Sequence, residues 1–237
     1  MAKRTEVEAV KGTNAAVDAF TREVAKLPPK GPAGGRGRLL FAMDATASRE
    51  PTWDLASTQQ GEMFLAASQV GGIEVRLAFY RGFDEFKVSR WTGDGRELAR
   101  LMGGVRCLAG RTQIARILRY AADQRREGRL DAVVFVGDCC EDDVDEVGHE
   151  AGQLGLLGLP VFVFQEGDDR MASRLFPQIA KLTRGAYCKF DRSSPEQLKR
   201  LLGAVAAYAA GGQAALLKYG KEKGGTAALL TSQMKKP

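Results

Sequence analysis

Asp44, Thr46 and Ser48 place three oxygen-bearing side chains at every second position, directly after the five apolar residues 39–43 (Leu-Leu-Phe-Ala-Met). A continuous apolar run of this kind suits a central parallel strand buried on both faces. The residues after such a strand lie at its carboxyl end, where open α/β sheets bind their ligands. One carboxylate and two hydroxyls are hard donors, better suited to Mg2+ or Mn2+ than to zinc. The same residues would also serve a strand that runs into a helix cap, because Asp, Ser and Thr favour caps and turns. Two later loops add hard oxygens. Thr112 ends the segment Cys-Leu-Ala-Gly-Arg-Thr just ahead of a helical pattern, and Asp138 closes a second apolar run over 130–136.

Other chemistries find less support. The single histidine, His149, falls in an acidic helical stretch and is expected to be exposed, with no serine or cysteine spaced as its nucleophile. A strand-end Asp44 could accept a phosphoryl group, and a metal-dependent phosphohydrolase using Asp44 and Asp138 is the enzymatic alternative. That chemistry would want a second acid at position 42 or 46, which are Ala and Thr. Cys107, Cys139, Cys140 and Cys188 match no zinc framework. Adjacent Cys139 and Cys140 would strain a mutual disulfide, so they are expected as partly buried strand-end thiols rather than a redox pair.

The elements that must position these residues alternate along the chain. Residues 73–80 and 83–91 alternate apolar with charged, separated only by Arg81-Gly82, which predicts an antiparallel hairpin at a sheet edge. Helical spacing is predicted over 52–70, 96–102, 113–126, from the acidic stretch to about Gly158, over 176–183, and from a Ser-Ser-Pro-Glu capping sequence at 193–196 to about Ala210. Further strands are expected at 160–164 and 186–190. Strands alternating with helices imply a doubly wound, mostly parallel six-stranded α/β sheet with one antiparallel edge strand and helices on both faces.

Over residues 37–210 the sequence resembles a von Willebrand factor A (VWA) domain with a metal-ion-dependent adhesion site (MIDAS). That family's pattern is Asp-x-Ser-x-Ser after its first strand, a Thr in a glycine-containing loop, and an Asp closing its fourth strand. Asp44, Thr46, Ser48, Thr112 and Asp138 match those positions, with Thr46 keeping the hydroxyl where Ser is usual. Two positions depart: Arg111 is bulky where such loops are small, and Cys139-Cys140 follows Asp138 where the family has glycine. The resemblance implies Mg2+ (or Mn2+) at these five residues, with an open position that accepts a carboxylate from a protein partner. Arg111, Glu141 and Asp142 would then form the partner-facing rim. It further implies a non-enzymatic scaffold or adaptor role.

Charge is distributed unevenly. Residues 1–38 carry +4 and 211–237 another +4, leaving 39–210 at −2. The basic balance therefore belongs to the ends, predicted as an N-terminal helix and linker over 1–36 and a mobile tail over 211–237. Basic ends could attract nucleic acid, but the nine arginines of 96–129 have a single aromatic, Tyr120, among them, a poor nucleic-acid signature. No apolar run approaches the roughly 18 residues a membrane span needs. The first residues, Met-Ala-Lys-Arg-Thr-Glu, lack the apolar core of a secretory signal, so a cytoplasmic protein with reduced thiols is expected.

Overall fold

The computed structural model describes residues 37–50, 73–190, 203–209, 211 and 215. Six strands and four helices alternate in it: β1 (Gly37–Asp44), β2 (Ile73–Arg81), β3 (Glu85–Val88), α1 (Gly95–Gly103), α2 (Ile114–Glu127), β4 (Ala132–Gly137), α3 (Val144–Leu156), β5 (Val161–Glu166), α4 (Arg170–Leu182) and β6 (Ala186–Phe190). Residues 203–209 are also helical. The sheet order is β3-β2-β1-β4-β5-β6. Only the β2–β3 pair at the edge is antiparallel; β1, β2, β4, β5 and β6 run parallel. This is the doubly wound sheet expected of the sequence.

The apolar run of β1 is explained by its central place between β2 and β4. Its odd-numbered residues Leu39, Phe41 and Met43 pack with Leu98 and Met102 of α1 and with Val205 and Tyr208. Its even-numbered Leu40 and Ala42 join Ile114, Ile117 and Leu118 of α2, Val147 and Leu154 of α3, and Phe176 and Ile179 of α4. A strand with a two-residue period can be apolar throughout only when both faces are covered in this way. Each such fully buried side chain contributes about 1.5–3 kcal/mol.

Several boundaries differ from the sequence expectation. The hairpin turn spans residues 82–84 rather than two residues, since Arg81 pairs with Glu85. Gly82 takes φ +60° there, and Phe83, expected to begin the strand, projects into solvent at 79% exposure. Strand β5 continues through Gln165 and Glu166, which pair with Lys189 and Phe190, where a loop was expected. Helix α4 begins at Arg170 instead of Phe176. Asp169 caps it, its carboxylate accepting the Ala172 N–H at 2.7 Å, and burial of Ala172, Leu175, Phe176, Ile179 and Ala180 holds the helix through Pro177 despite the donor a proline removes. The N-terminal helix and linker expected over 1–36, the helix expected over 52–70, the capping sequence at 193–196 and most of the tail after 210 lie outside the described residues.

Candidate metal centre

The centre assembles at the carboxyl ends of β1 and β4, which are neighbours in the sheet. Asp44 ends β1 and is fully buried. Its Oδ1 accepts the Thr46 N–H at 2.7 Å. Its Oδ2 accepts the hydroxyl of Tyr80 at 2.9 Å, Tyr80 being its register partner on β2. Burial raises the Asp44 pKa to about 6 from an ordinary value of 3.8; hydrogen bonding to Thr46 and the positive charge of Arg49 oppose that rise, and Asp138 adds to it. The Tyr80 hydroxyl is pushed well above its usual range by burial and by Asp44, so it acts as a donor to the carboxylate.

After Asp44 the backbone turns through a short 3-10 segment, Ala47–Arg49. The Thr46 and Ser48 hydroxyls lie 3.0 Å apart, with Thr46 buried and Ser48 exposed. Beneath them Arg49 is fully buried. It donates from Nε to Glu166 Oε2 at 3.0 Å and from a terminal nitrogen to the Asp44 carbonyl at 2.6 Å, and its guanidinium forms an ion pair with Glu166. The floor of the centre is thus a buried cation flanked by acids on two strands.

Asp138 follows β4 and is 8% exposed. Its Oδ1 is buried and has no hydrogen-bond partner among the described residues. One ligand atom each from Asp44, Asp138 and Cys139 lie within 4.8 Å of one another, and the Ser48 hydroxyl stands 4.0 Å from the Cys139 sulfur. Thr112 is tied to the same loop: its hydroxyl accepts the Glu141 N–H at 2.7 Å. An orphaned buried carboxylate oxygen is costly, and a divalent cation among a second carboxylate, hydroxyls and a thiol would satisfy it. The donor set present therefore fits a divalent ion.

The loop carrying Thr112 is held in place by backbone contacts. Leu108 donates to the Ala45 carbonyl at 3.0 Å, Gly82 to the Leu108 carbonyl at 3.3 Å and Arg111 to the Gly82 carbonyl at 3.1 Å. A Cβ on Gly110 would sit 1.8 Å from the Gly82 carbonyl oxygen, so no larger residue fits without moving the loop. Gly110→Ala is expected to cost about 1–3 kcal/mol in urea unfolding and, by displacing Thr112, to weaken any metal-induced rise in melting temperature. A variant with unchanged stability would show that the loop yields freely.

Of the expected rim, Arg111 and Glu141 are exposed. Asp142 is half-buried and turns inward, its Oδ1 accepting the Ala115 N–H at 3.0 Å in the first turn of α2. Its role in the structure is to fasten two elements of the site. His149 is exposed on α3 as expected. Burial pushes the thiols of Cys107 and Cys140 up to about 11 and that of Cys188 to about 12. Burial and the charge of Asp138 raise Cys139 as well. Such thiols are poor nucleophiles at neutral pH.

Tyr80, Arg49 and Glu166 border the candidate site, and the sequence did not point to them. Tyr80 could have been found from register, since residues near the carboxyl ends of paired parallel strands meet at the same rim. Arg49 and Glu166 lie 117 positions apart and carried no local signal.

No family model matches the sequence, and no curated protein matches it in sequence. Solved structures match it in fold. The chain is similar to a von Willebrand factor type A protein from Catenulispora acidiphila, at 14% identity and TM-score 0.60 over 73% of this chain and 43% of that one. It is similar to the pilus adhesin SpaC from Lactobacillus rhamnosus GG, at 10% identity and TM-score 0.60 over 81% and 31%. It also resembles proximal thread matrix protein 1 from the mussel byssus, a structure with a zinc-occupied MIDAS motif, at 14% identity and TM-score 0.56 over 73% and 46%. The chain spans less than half the length of each of these three proteins. At such identities the likeness carries the fold: the chain has the α/β fold of von Willebrand factor A domains.

Proposed function

We propose that this chain is a non-enzymatic, cytoplasmic scaffold or adaptor domain that recognises a protein partner through a divalent cation. Asp44, Thr46, Ser48, Thr112 and Asp138 are its ligands, direct or through water, and Mg2+ or Mn2+ suits their hard oxygens. The observation that carries the reading is Asp138 Oδ1, buried and without a hydrogen-bond partner among the described residues, beside a second buried carboxylate. The zinc in the MIDAS motif of the mussel protein supports a divalent ion at this place in the fold. When bound, the ion supplies a Lewis-acidic position for an anionic oxygen from outside the chain.

The surroundings favour a protein carrying an acidic side chain. Leu108 is 51% exposed and bridges to Thr46, and Phe83 lies in the adjoining turn, so an apolar surface borders the site. Exposed Arg106 and Arg111 occupy the same loop and would attract an acidic partner. Among the described residues no helix is long and apolar enough to cross a membrane. The four free cysteines support a reducing compartment.

The test is a Mg2+ and Mn2+ titration read by calorimetry and melting temperature, paired with pull-down with and without chelator. Asp138→Asn is expected to lower metal affinity by more than about 100-fold, beyond the 10–100-fold typical of an outer-shell loss, and to abolish chelator-sensitive partner capture. Wild-type protein whose melting temperature and heat signal ignore both ions would overturn the proposal.

A further inference from the structure

We infer that Cys139 is a soft ligand at the edge of this centre, giving it a thiophilic mode in which Zn2+ or Co2+ binds through Asp44, Asp138 and the Cys139 sulfur and displaces Mg2+. The inference rests on the metal-site reading above and adds to it the choice of ion. The Cys139 sulfur and the two carboxylates lie within 4.8 Å of one another. Ligand atoms on a tetrahedral zinc at ordinary bond lengths sit roughly 3.3–3.8 Å apart, so side-chain shifts of about 1 Å close the set. The Ser48 hydroxyl, 4.0 Å from the same sulfur, stands where a fourth ligand or a bound water belongs. Asp138 Oδ1 supplies the independent sign that something cationic belongs there, being buried and without a partner among the described residues.

Cys139 is singled out among the four cysteines by direction. Its neighbour Cys140 is buried within the apolar layer formed with α2, α3 and α4. Cys188 lies in the core on the other face, and Cys107 packs against that same core. Cys139 alone joins the acidic cluster, half-buried, so a metal there would be shielded yet reachable. Hard Mg2+ gains nothing from sulfur, whereas zinc and cobalt accept thiolate. On binding, the thiol proton leaves to solvent as the sulfur–metal bond forms.

The full-length chain is titrated with Co2+ and the thiolate-to-cobalt charge-transfer absorption is followed, alongside Zn2+ and Mg2+ affinities by competition. Wild type and Cys140→Ser are expected to show the band. Cys139→Ser should lose it, with Zn2+ affinity falling about tenfold or more and Mg2+ affinity changing less than about twofold. A band that persists in Cys139→Ser, or an unchanged Zn2+/Mg2+ ratio, overturns the inference while leaving the hard-ion site standing. Wild type that binds neither Mg2+ nor Zn2+ sinks both. A second measurement needs no variant: X-ray absorption at the zinc edge of the wild-type complex should show a sulfur neighbour at about 2.3 Å. A first shell of oxygen neighbours alone would also count against the thiol as ligand.

Discussion

Arg49→Met is expected to lower the unfolding free energy by about 3–5 kcal/mol, the usual cost of removing one partner from a buried ion pair. Arg49 and Glu166 have side-chain exposures of 0% and 2% and pair at 3.0 Å. Methionine would fill much of the vacated volume but leave the Glu166 carboxylate buried opposite an apolar group. It would also remove the hydrogen bond to the Asp44 carbonyl and the positive charge that offsets part of Asp44's desolvation. The cost is therefore mostly electrostatic, and that makes it separable from a packing defect. Replacing both partners, Arg49→Met with Glu166→Leu, should recover a substantial part of the loss, because a buried pair exchanged for apolar residues is often neutral. Urea unfolding of wild type, both single variants and the double variant in chelator gives the coupling directly. A single-variant cost below about 1 kcal/mol, or a double variant no better than Arg49→Met alone, would show that the pair does not hold up the floor of the site.

That ion pair also marks where sequence reasoning runs out. The central strand was legible because only a strand covered on both faces tolerates Leu-Leu-Phe-Ala-Met without interruption. Asp44 was legible because a carboxylate immediately after such a strand must lie at the sheet's ligand-binding end. The edge hairpin followed from the half-polar alternation of β2, and the likeness to von Willebrand factor A domains gave the order of the rest. An arginine after Ser48, by contrast, reads as a solvated surface charge; Glu166, arriving from another strand, and the Asp44 carbonyl help make its burial tolerable. The strand-end thiols posed a similar problem. Cys139 and Cys140 are identical in type and adjacent, and only the turn after β4 sends one to the acidic cluster and the other into the core. The start of α4 lies earlier than the spacing predicts because residues 170–174 have little apolar character, which hides the Asp169 cap. In each case a long-range contact overrode or completed a weak local pattern.

Asp44→Asn is expected to have opposite effects with and without metal, and this reversal ties the strain in the site to its use. In chelator the folded protein holds Asp44 with a pKa of about 6, raised chiefly by burial from 3.8. Between those two values the folded state binds the proton that the unfolded chain has already released. Stability from this group is therefore greatest below pH 4, falls as pH rises towards 6, and is flat above it. The full cost of the buried charge at pH 7 is on the order of 3 kcal/mol, because each tenfold change in proton affinity is worth about 1.36 kcal/mol. Lowering the pH from 7 to 5 should return roughly 1 kcal/mol to the wild type relative to Asp44→Asn. The window avoids the opposite contribution of Glu85, held down to about 2 by hydrogen bonds from Arg81 and Lys87, whose stabilisation is lost only below about pH 4.5. Asparagine can keep the geometry, its oxygen accepting from Thr46 and its amide donating to a rotated Tyr80 hydroxyl. At pH 7 in chelator the variant should therefore be the more stable protein, by about 1–3 kcal/mol. Saturating Mg2+ reverses the order, because a ligand at about 1,000 times its dissociation constant adds about 4.1 kcal/mol to the wild type and little to a variant lacking the charge. Urea unfolding at pH 5 and pH 7, each with chelator and with Mg2+, measures all four states. A variant that is less stable than wild type in chelator at pH 7, with the same pH slope, would mean that the Asp44 charge is already satisfied within the protein and needs no cation.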